Sequence, residues 1–200
     1  AVDLRHERLA EAIEIIRALS SGHMTTIRGR FFTAEDVKLY DLPREPLRIV
    51  VAVSGDASLD LAQRVGADGI MATEPESSLT SGWSDRGGAD GSAWSELPFA
   101  WAPSADEGLE LAHRLFRFGA LGWKVMSELP NPVNFDAACA HVRPEDLAES
   151  VPHGPDPQAY VAAVRSFLDA GFTNLAIVPL GDDVEGFCRF WTDEVRPALP

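Results

Sequence analysis

The sequence predicts an α/β protein with a parallel sheet, and three features predict it. Four short apolar runs lie near residues 47–53, 68–73, 98–102 and 173–178. They alternate with helical patterns, so their crossovers are too long for hairpins and the strands run parallel. The first run, Leu47-Arg-Ile-Val-Val-Ala-Val53, is apolar on both faces apart from Arg48, as in a central strand covered on each side. An open doubly wound sheet and part of a (β/α)8 barrel both satisfy this pattern. Two hundred residues are expected to form one domain, 1–200, with a sizeable core.

The elements follow in order. Leu9, Ile13, Ile16 and Leu19 recur at helical spacing, widened by Ala12 and Ile15, with Asp3 placed to cap the start and Gly22 to end it. His23–Tyr40 mixes β-branched and aromatic residues around Arg28-Gly-Arg30, which reads as a small hairpin or an irregular excursion. After the first strand, Ser54-Gly55 opens into a short helix carrying Leu59, Leu61, Ala62 and Val65 and ending at Gly66. The next strand, 68–73, completes a βαβ unit.

Residues 74–96 are rich in Gly, Ser and Asp and read as a long loop with at most one helical turn, anchored by Trp83 and Trp94. Beyond the third strand, Ser104 and Glu107 form a capping-box pattern ahead of Leu111, Leu115 and Phe118. Short helices are expected around Phe135–Ala140 and at Leu147. Asp156-Pro157 starts a helix with Val161, Val164 and Leu168 on its buried face, and Gly171 ends it. A final helix buries Phe187, Phe190, Trp191 and Val195.

Composition narrows the function classes. A net charge of −14 argues against nucleic acid and anionic membranes, both of which need basic patches. No apolar run approaches transmembrane length. Cys139 and Cys188 fit neither a metal knuckle nor a disulfide framework, so two buried thiols in a reducing, cytoplasmic compartment are expected. The chain opens on Ala1 directly in a helix, which suggests processing, trimming or a piece of a longer polypeptide.

No nucleophile elbow, Walker loop, HExxH or GxGxxG is present, and the five histidines are scattered singly, so no metal site and no catalytic residue is assigned. Asp182-Asp183 reads as a helix cap and Glu145-Asp146 as the acidic first turn of a helix, neither as a metal site. The site signal is a pair of strand ends, Ser54-Gly55 and Thr73. Ser54 offers a hydroxyl, Gly55 permits close backbone approach, and the N–H groups of Ala57 and Ser58 begin a helix, so the turn can hold a phosphate. Asp56 counts against an anion there unless its carboxylate is turned away.

Taken along its length, the chain resembles the carboxyl-terminal part of the luciferase-like flavin- and F420-dependent oxidoreductases, in the subgroup related to F420-dependent glucose-6-phosphate dehydrogenase. The resemblance is carried by Arg8-Leu-Ala-Glu-Ala-Ile-Glu-Ile-Ile-Arg-Ala-Leu19, Gly29-Arg-Phe-Phe32, Ile49-Val-Val-Ala-Val-Ser-Gly55 and Ala67-Asp-Gly-Ile70. Glu128-Leu-Pro-Asn-Pro132, Val151-Pro-His-Gly-Pro-Asp-Pro157, Asp169-Ala-Gly171 and Glu185-Gly-Phe-Cys-Arg-Phe190 follow in family order.

The resemblance implies that the four strands are the carboxyl-terminal half of a (β/α)8 barrel. It implies F420 as cofactor, with FMN as the alternative of a flavin-dependent monooxygenase, and hydride transfer to or from a small-molecule substrate. It places Ser54, Gly55, Ala57 and Ser58 at the cofactor phosphate. Thr73 falls where relatives touch substrate phosphate, but their lysine three residues on is replaced by Glu76, which cannot pair with a phosphate dianion. The family's catalytic His, Trp and Glu belong to the first barrel strands, to which nothing here corresponds. The isolated chain is therefore expected to be inactive, and to need an amino-terminal half or a second copy. The competing function is a non-catalytic half-barrel that binds an anionic cofactor or assembles with a partner.

Overall fold

The computed structural model describes residues 2–200, with side chains from Leu4 onward, so the expected Asp3 cap lies outside the described residues. The chain divides into two compact units, Ala1–Ser95 with Ala170–Asn174, and Glu96–Asp169 with Leu175–Pro200. The boundary cuts two strands, one between Ser95 and Glu96 and the other between Asn174 and Leu175.

The first unit opens with α1 (Val2–Ser20) and an antiparallel hairpin, β1 (Thr25–Arg28) with β2 (Thr33–Val37). The predicted apolar stripe of α1 is only partly covered: Ile13 is buried, whereas Leu9 and Ile16 are more than 40% exposed. A two-stranded hairpin is marginal alone, and Glu11 of α1 supplies what it lacks. Its carboxylate accepts the N–H groups of Arg30 (2.9 Å), Phe31 (3.0 Å) and Phe32 (2.6 Å) in the hairpin turn. A Cβ on Gly29 would collide with that carboxylate, which is why glycine stands there.

Desolvation opposes ionisation of Glu11, but the three N–H donors outweigh it and its pKa lies below the ordinary 4.5. A depressed folded pKa means that the tether is complete above the ordinary carboxylate range and is lost as pH falls through the folded value. Glu11→Ala is therefore expected to lower the melting temperature at neutral pH and to have progressively less effect as the pH falls below the ordinary carboxylate value. Hydrogen exchange at Arg30–Phe32 should accelerate in the variant. Unchanged protection of these amides would show that the turn does not depend on Glu11.

The same unit continues with β3 (Val50–Ala52), α2 (Asp56–Arg64), β4 (Gly69–Met71), α3 (Ser77–Asp85) and the start of β5 (Ala93–Phe99). The strands are parallel, with Val51 beside Ile70, Ala52 beside Met71, and Met71 beside Trp94. Leu59, Leu61 and Ala62 of α2 are buried, as are Leu79 and Trp83 of α3. Residues 74–96 thus hold a nine-residue helix rather than a loop, and the third strand starts at Ala93 rather than near 98. Trp83 anchors the connection, its Nε1 donating to Ser92 Oγ at 2.8 Å.

The first strand also differs from expectation. It is confined to Val50–Ala52, and it is not covered on both sides. Val51 and Val53 are buried, while Val50 and Ala52 face outward. Register places Ala52, Met71 and Trp94 on one face, and both Val50 and Trp94 are 38% exposed. This sheet face is apolar, with Val50, Ala52 and Trp94 exposed and Met71 half-buried.

The second unit contains the rest of β5, α4 (Ala105–Phe116), the short helices α5 (Trp123–Met126) and α6 (Pro132–Ala138), α7 (Pro157–Asp169), most of β6 (Asn174–Pro179) and α8 (Val184–Phe190). A 3-10 turn, Pro144–Leu147, buries Leu147 as expected. β6 pairs with β5, and just beyond it the Leu180 N–H donates to Phe99 O at 2.8 Å. Ser104 caps α4, Asp156 accepts the Gln158 N–H beside Pro157 of α7, and Asp183 caps α8.

The aromatic core of this unit is centred on fully buried Phe99, edge-on to Tyr160 at 4.9 Å. Phe187 and Trp191 stand near the same ring. Tyr160 and Phe167 join Val161 and Val164 on the buried face of α7. Burial, then the charge of Asp156, pushes the Tyr160 phenol upward, and its hydroxyl donates to Gly154 O at 2.7 Å. Of the two free cysteines only Cys139 is buried. Phe187 and Phe190 occupy the inner face of α8, which turns Cys188 outward, contrary to the expected pair of buried thiols. On the outward side of β6, Ala176 and Val178 are exposed.

Candidate cofactor-binding site

The β3–α2 turn is built by its own fourth residue. Ser58 Oγ accepts the N–H groups of Ser54 (2.9 Å) and Gly55 (3.2 Å), and donates to Gly55 O at 2.7 Å. The Ser58 N–H itself reaches Gly55 O at 3.1 Å. Of the four residues predicted at this site, Ser58 is thus committed to holding the turn. The groups left for a ligand are the exposed Ser54 hydroxyl and the N–H groups of Asp56 and Ala57, which lie in the first turn of α2 and have no acceptor within the helix.

The space above the turn is open. A Cβ placed on Gly55 would meet no heavy atom within 4 Å. An anion can therefore approach the backbone at the positive end of α2, where helix dipole and free donors act together. The donor set suits a phosphate group, such as that of a nucleotide-like cofactor.

The objection raised by Asp56 is met by Arg86. The Asp56 carboxylate is turned along the outside of α2, where its Oδ1 accepts Arg86 Nη2 at 3.1 Å. Arg86 Nε also donates to Asp60 Oδ1 at 2.7 Å, and Nη1 to Gly82 O at 3.0 Å. Asp60 and then Asp56 hold the guanidinium above its ordinary pKa, against the effect of burial. No local pattern signals this clamp, because Asp56 and Asp60 lie 30 and 26 residues before Arg86.

Thr73 is exposed two residues beyond β4. Parallel register sets Ala52 beside Met71, so Ser54 and Thr73 emerge side by side at the carboxyl ends of adjacent strands. Glu76 is the N-cap residue of α3, makes no side-chain cap bond and is exposed.

A second concavity, of about 600 Å³, lies within the second unit at the carboxyl ends of β5 and β6. Apolar Trp101, Leu111 and Leu180 line it together with the charged residues Glu107, Arg114 and Asp183. Sequence reasoning missed it, although Trp101-Ala-Pro-Ser104 directly after a strand was the available signal. Among the described residues no group of three His, Cys, Asp or Glu can hold a metal ion, and no helix is long and apolar enough to cross a membrane.

Comparison with known proteins agrees with this architecture. The chain is 30% identical over 207 residues to an F420-dependent glucose-6-phosphate dehydrogenase of Beutenbergia cavernae, a match covering 98% of the chain and 61% of that relative. It is 32% identical over 205 residues to an F420-dependent hydroxymycolic acid dehydrogenase of Mycobacterium tuberculosis, covering 98% of the chain and 54% of that relative. The chain therefore spans less than two thirds of the length of these relatives. Among solved structures, an F420-dependent secondary alcohol dehydrogenase holding an F420–acetone adduct superposes with a TM-score of 0.79 at 18% identity. That match covers the whole of this chain and 63% of the other, as a partial (β/α)8 barrel would. The family model of the luciferase-like monooxygenases matches residues 1–174, and with the parallel βα units and these relatives it establishes that the chain belongs to that family.

Proposed function

We propose that the protein works as an F420-dependent oxidoreductase and that the β3–α2 turn receives the cofactor phosphate. The observation that carries this is the turn itself: an open glycine, two helix N–H groups without intrahelical acceptors, and a neighbouring carboxylate already paired. The Ser54 hydroxyl and the Asp56 and Ala57 N–H groups face the anion in this arrangement, Gly55 leaves it room to approach, and Ser58 braces the turn. When bound, F420 supplies a deazaflavin ring that exchanges hydride with a substrate. The curated relatives that use F420 support the choice of cofactor.

The substrate proposed is an uncharged alcohol or carbonyl compound rather than a sugar phosphate. Thr73 offers a hydroxyl at the strand end, but exposed Glu76 would repel a phosphate dianion. Glu76→Lys is expected to raise affinity for glucose 6-phosphate by about three- to tenfold, by replacing repulsion with attraction at an exposed site. Isothermal titration measures this; equal affinity in both proteins would place Glu76 away from the substrate.

In the working protein we propose that the apolar sheet faces are covered by another half of the barrel, from the same polypeptide or from a second copy. A cytoplasmic setting agrees with two free cysteines. Fluorescence titration with F420, FMN as competitor, tests the cofactor, and bleaching of F420 on addition of secondary alcohols tests the reaction. Displacement of F420 by FMN at lower concentration would favour the flavin alternative. Binding of F420 without turnover in the completed barrel would favour the non-catalytic module.

A further inference from the structure

We propose that Arg86 is a positioning residue for the anion-binding turn: by drawing the Asp56 carboxylate against α3, it lets a phosphate approach a helix start that would otherwise carry a negative charge. The proposal rests on the turn being the cofactor site. Asp56 is the first residue of α2, beside the Ser54 hydroxyl and the Ala57 N–H that face the anion. A carboxylate on a first helical residue can swing toward the free N–H groups of the helix start, where it would compete with any incoming anion.

Here that swing is prevented. The guanidinium is itself held at three points, by Asp60 Oδ1 at 2.7 Å, Asp56 Oδ1 at 3.1 Å and Gly82 O at 3.0 Å. Its side chain is 22% exposed, against 88% for Asp56. Arg86 is thus the placed member of the pair, and Asp56 the one that would move without it. The planar fork explains why arginine suits the position: Nε, Nη1 and Nη2 each meet a separate acceptor, which a single ammonium does less well.

The test is F420 titration, read by fluorescence, of Arg86→Met, Arg86→Lys, Asp56→Asn, the double variant Asp56→Asn/Arg86→Met, and Ser54→Asp. Arg86→Met is expected to raise the dissociation constant about tenfold at low salt, and clearly less at 1 M salt, where the screening length falls to about 3 Å. Arg86→Lys should retain part of the affinity. The double variant should recover most of it, because the charge that Arg86 restrains is gone. Asp56→Asn alone should bind as well as the parent or up to about threefold more tightly, and it remains informative if Arg86→Met fails to fold.

A double variant as weak as Arg86→Met would mean that Arg86 only supports the packing of α2 and α3, and would overturn the proposal. So would an Arg86→Met protein of unchanged affinity, or an Asp56→Asn protein that binds less tightly. Failure of the underlying site is distinguishable. If Ser54→Asp leaves affinity unchanged the turn itself is not the phosphate site, whereas normal weakening by Ser54→Asp with no effect at Arg86 removes the positioning role alone.

Discussion

Purified alone at micromolar concentration, the 200-residue chain is expected to associate rather than persist as a 21.7 kDa monomer. The reason is the sheet. In the first unit the face shared by Ala52, Met71 and Trp94 leaves Ala52 and Trp94 exposed, and in the second Ala176 and Val178 are exposed on β6. Covering such a face contributes about 2.5 kcal/mol per 100 Å² of apolar surface, so about 400 Å² is worth about 10 kcal/mol, comparable with the stability of a whole domain. β3 adds an unpaired edge, and its three residues carry neither proline nor charge to block further strand pairing. Light scattering with intact-mass measurement reads the outcome. A monodisperse 21.7 kDa species, stable to dilution, would show that these faces need no partner.

Ser54→Asp is expected to weaken F420 binding by about 1–3 kcal/mol, through a lost donor and like-charge repulsion. Ser54 is exposed at the mouth of the turn, so the new carboxylate would stand where the phosphate is proposed to lie. It would differ from Asp56, whose charge is answered by Arg86 at 3.1 Å. The backbone of the turn should survive the substitution, since the Ser54 N–H, not its side chain, makes the bond to Ser58 Oγ. Fluorescence titration gives the affinity, and circular dichroism checks that α2 is intact. An unchanged dissociation constant would remove this turn from the site.

What was legible in the sequence was the part governed by local pattern. The parallel strands, the caps at Ser104 and Asp156, the helix carrying Leu59 to Ala62 and the βα turn at Ser54-Gly55 were all read from spacing and small residues. α3 was not, because Ser-Ser-Leu-Thr-Ser-Gly-Trp-Ser-Asp is poor in helix formers and is held by two buried side chains, Leu79 and Trp83. The early start of β5 was hidden because Ser95, a polar residue, takes an inward position between Ala93 and Leu97. At the site, chemistry that depends on near neighbours was visible, whereas Arg86 was not. Its clamp joins the ends of two helices, and only tertiary packing brings them together.

The Ser58 brace has a kinetic consequence. With the Ser54 and Gly55 amides already bonded to Ser58 Oγ, and that hydroxyl bonded back to Gly55 O, the loop's conformational entropy is spent during folding. An arriving phosphate then meets a ready-made receptor, and little of the encounter is wasted on loops in the wrong shape. Stopped-flow mixing with F420 should give one concentration-dependent phase, governed by collision and by ionic strength, without a slower rearrangement behind it. Ser58→Ala would free the loop to sample other shapes, and a second, concentration-independent phase should then emerge.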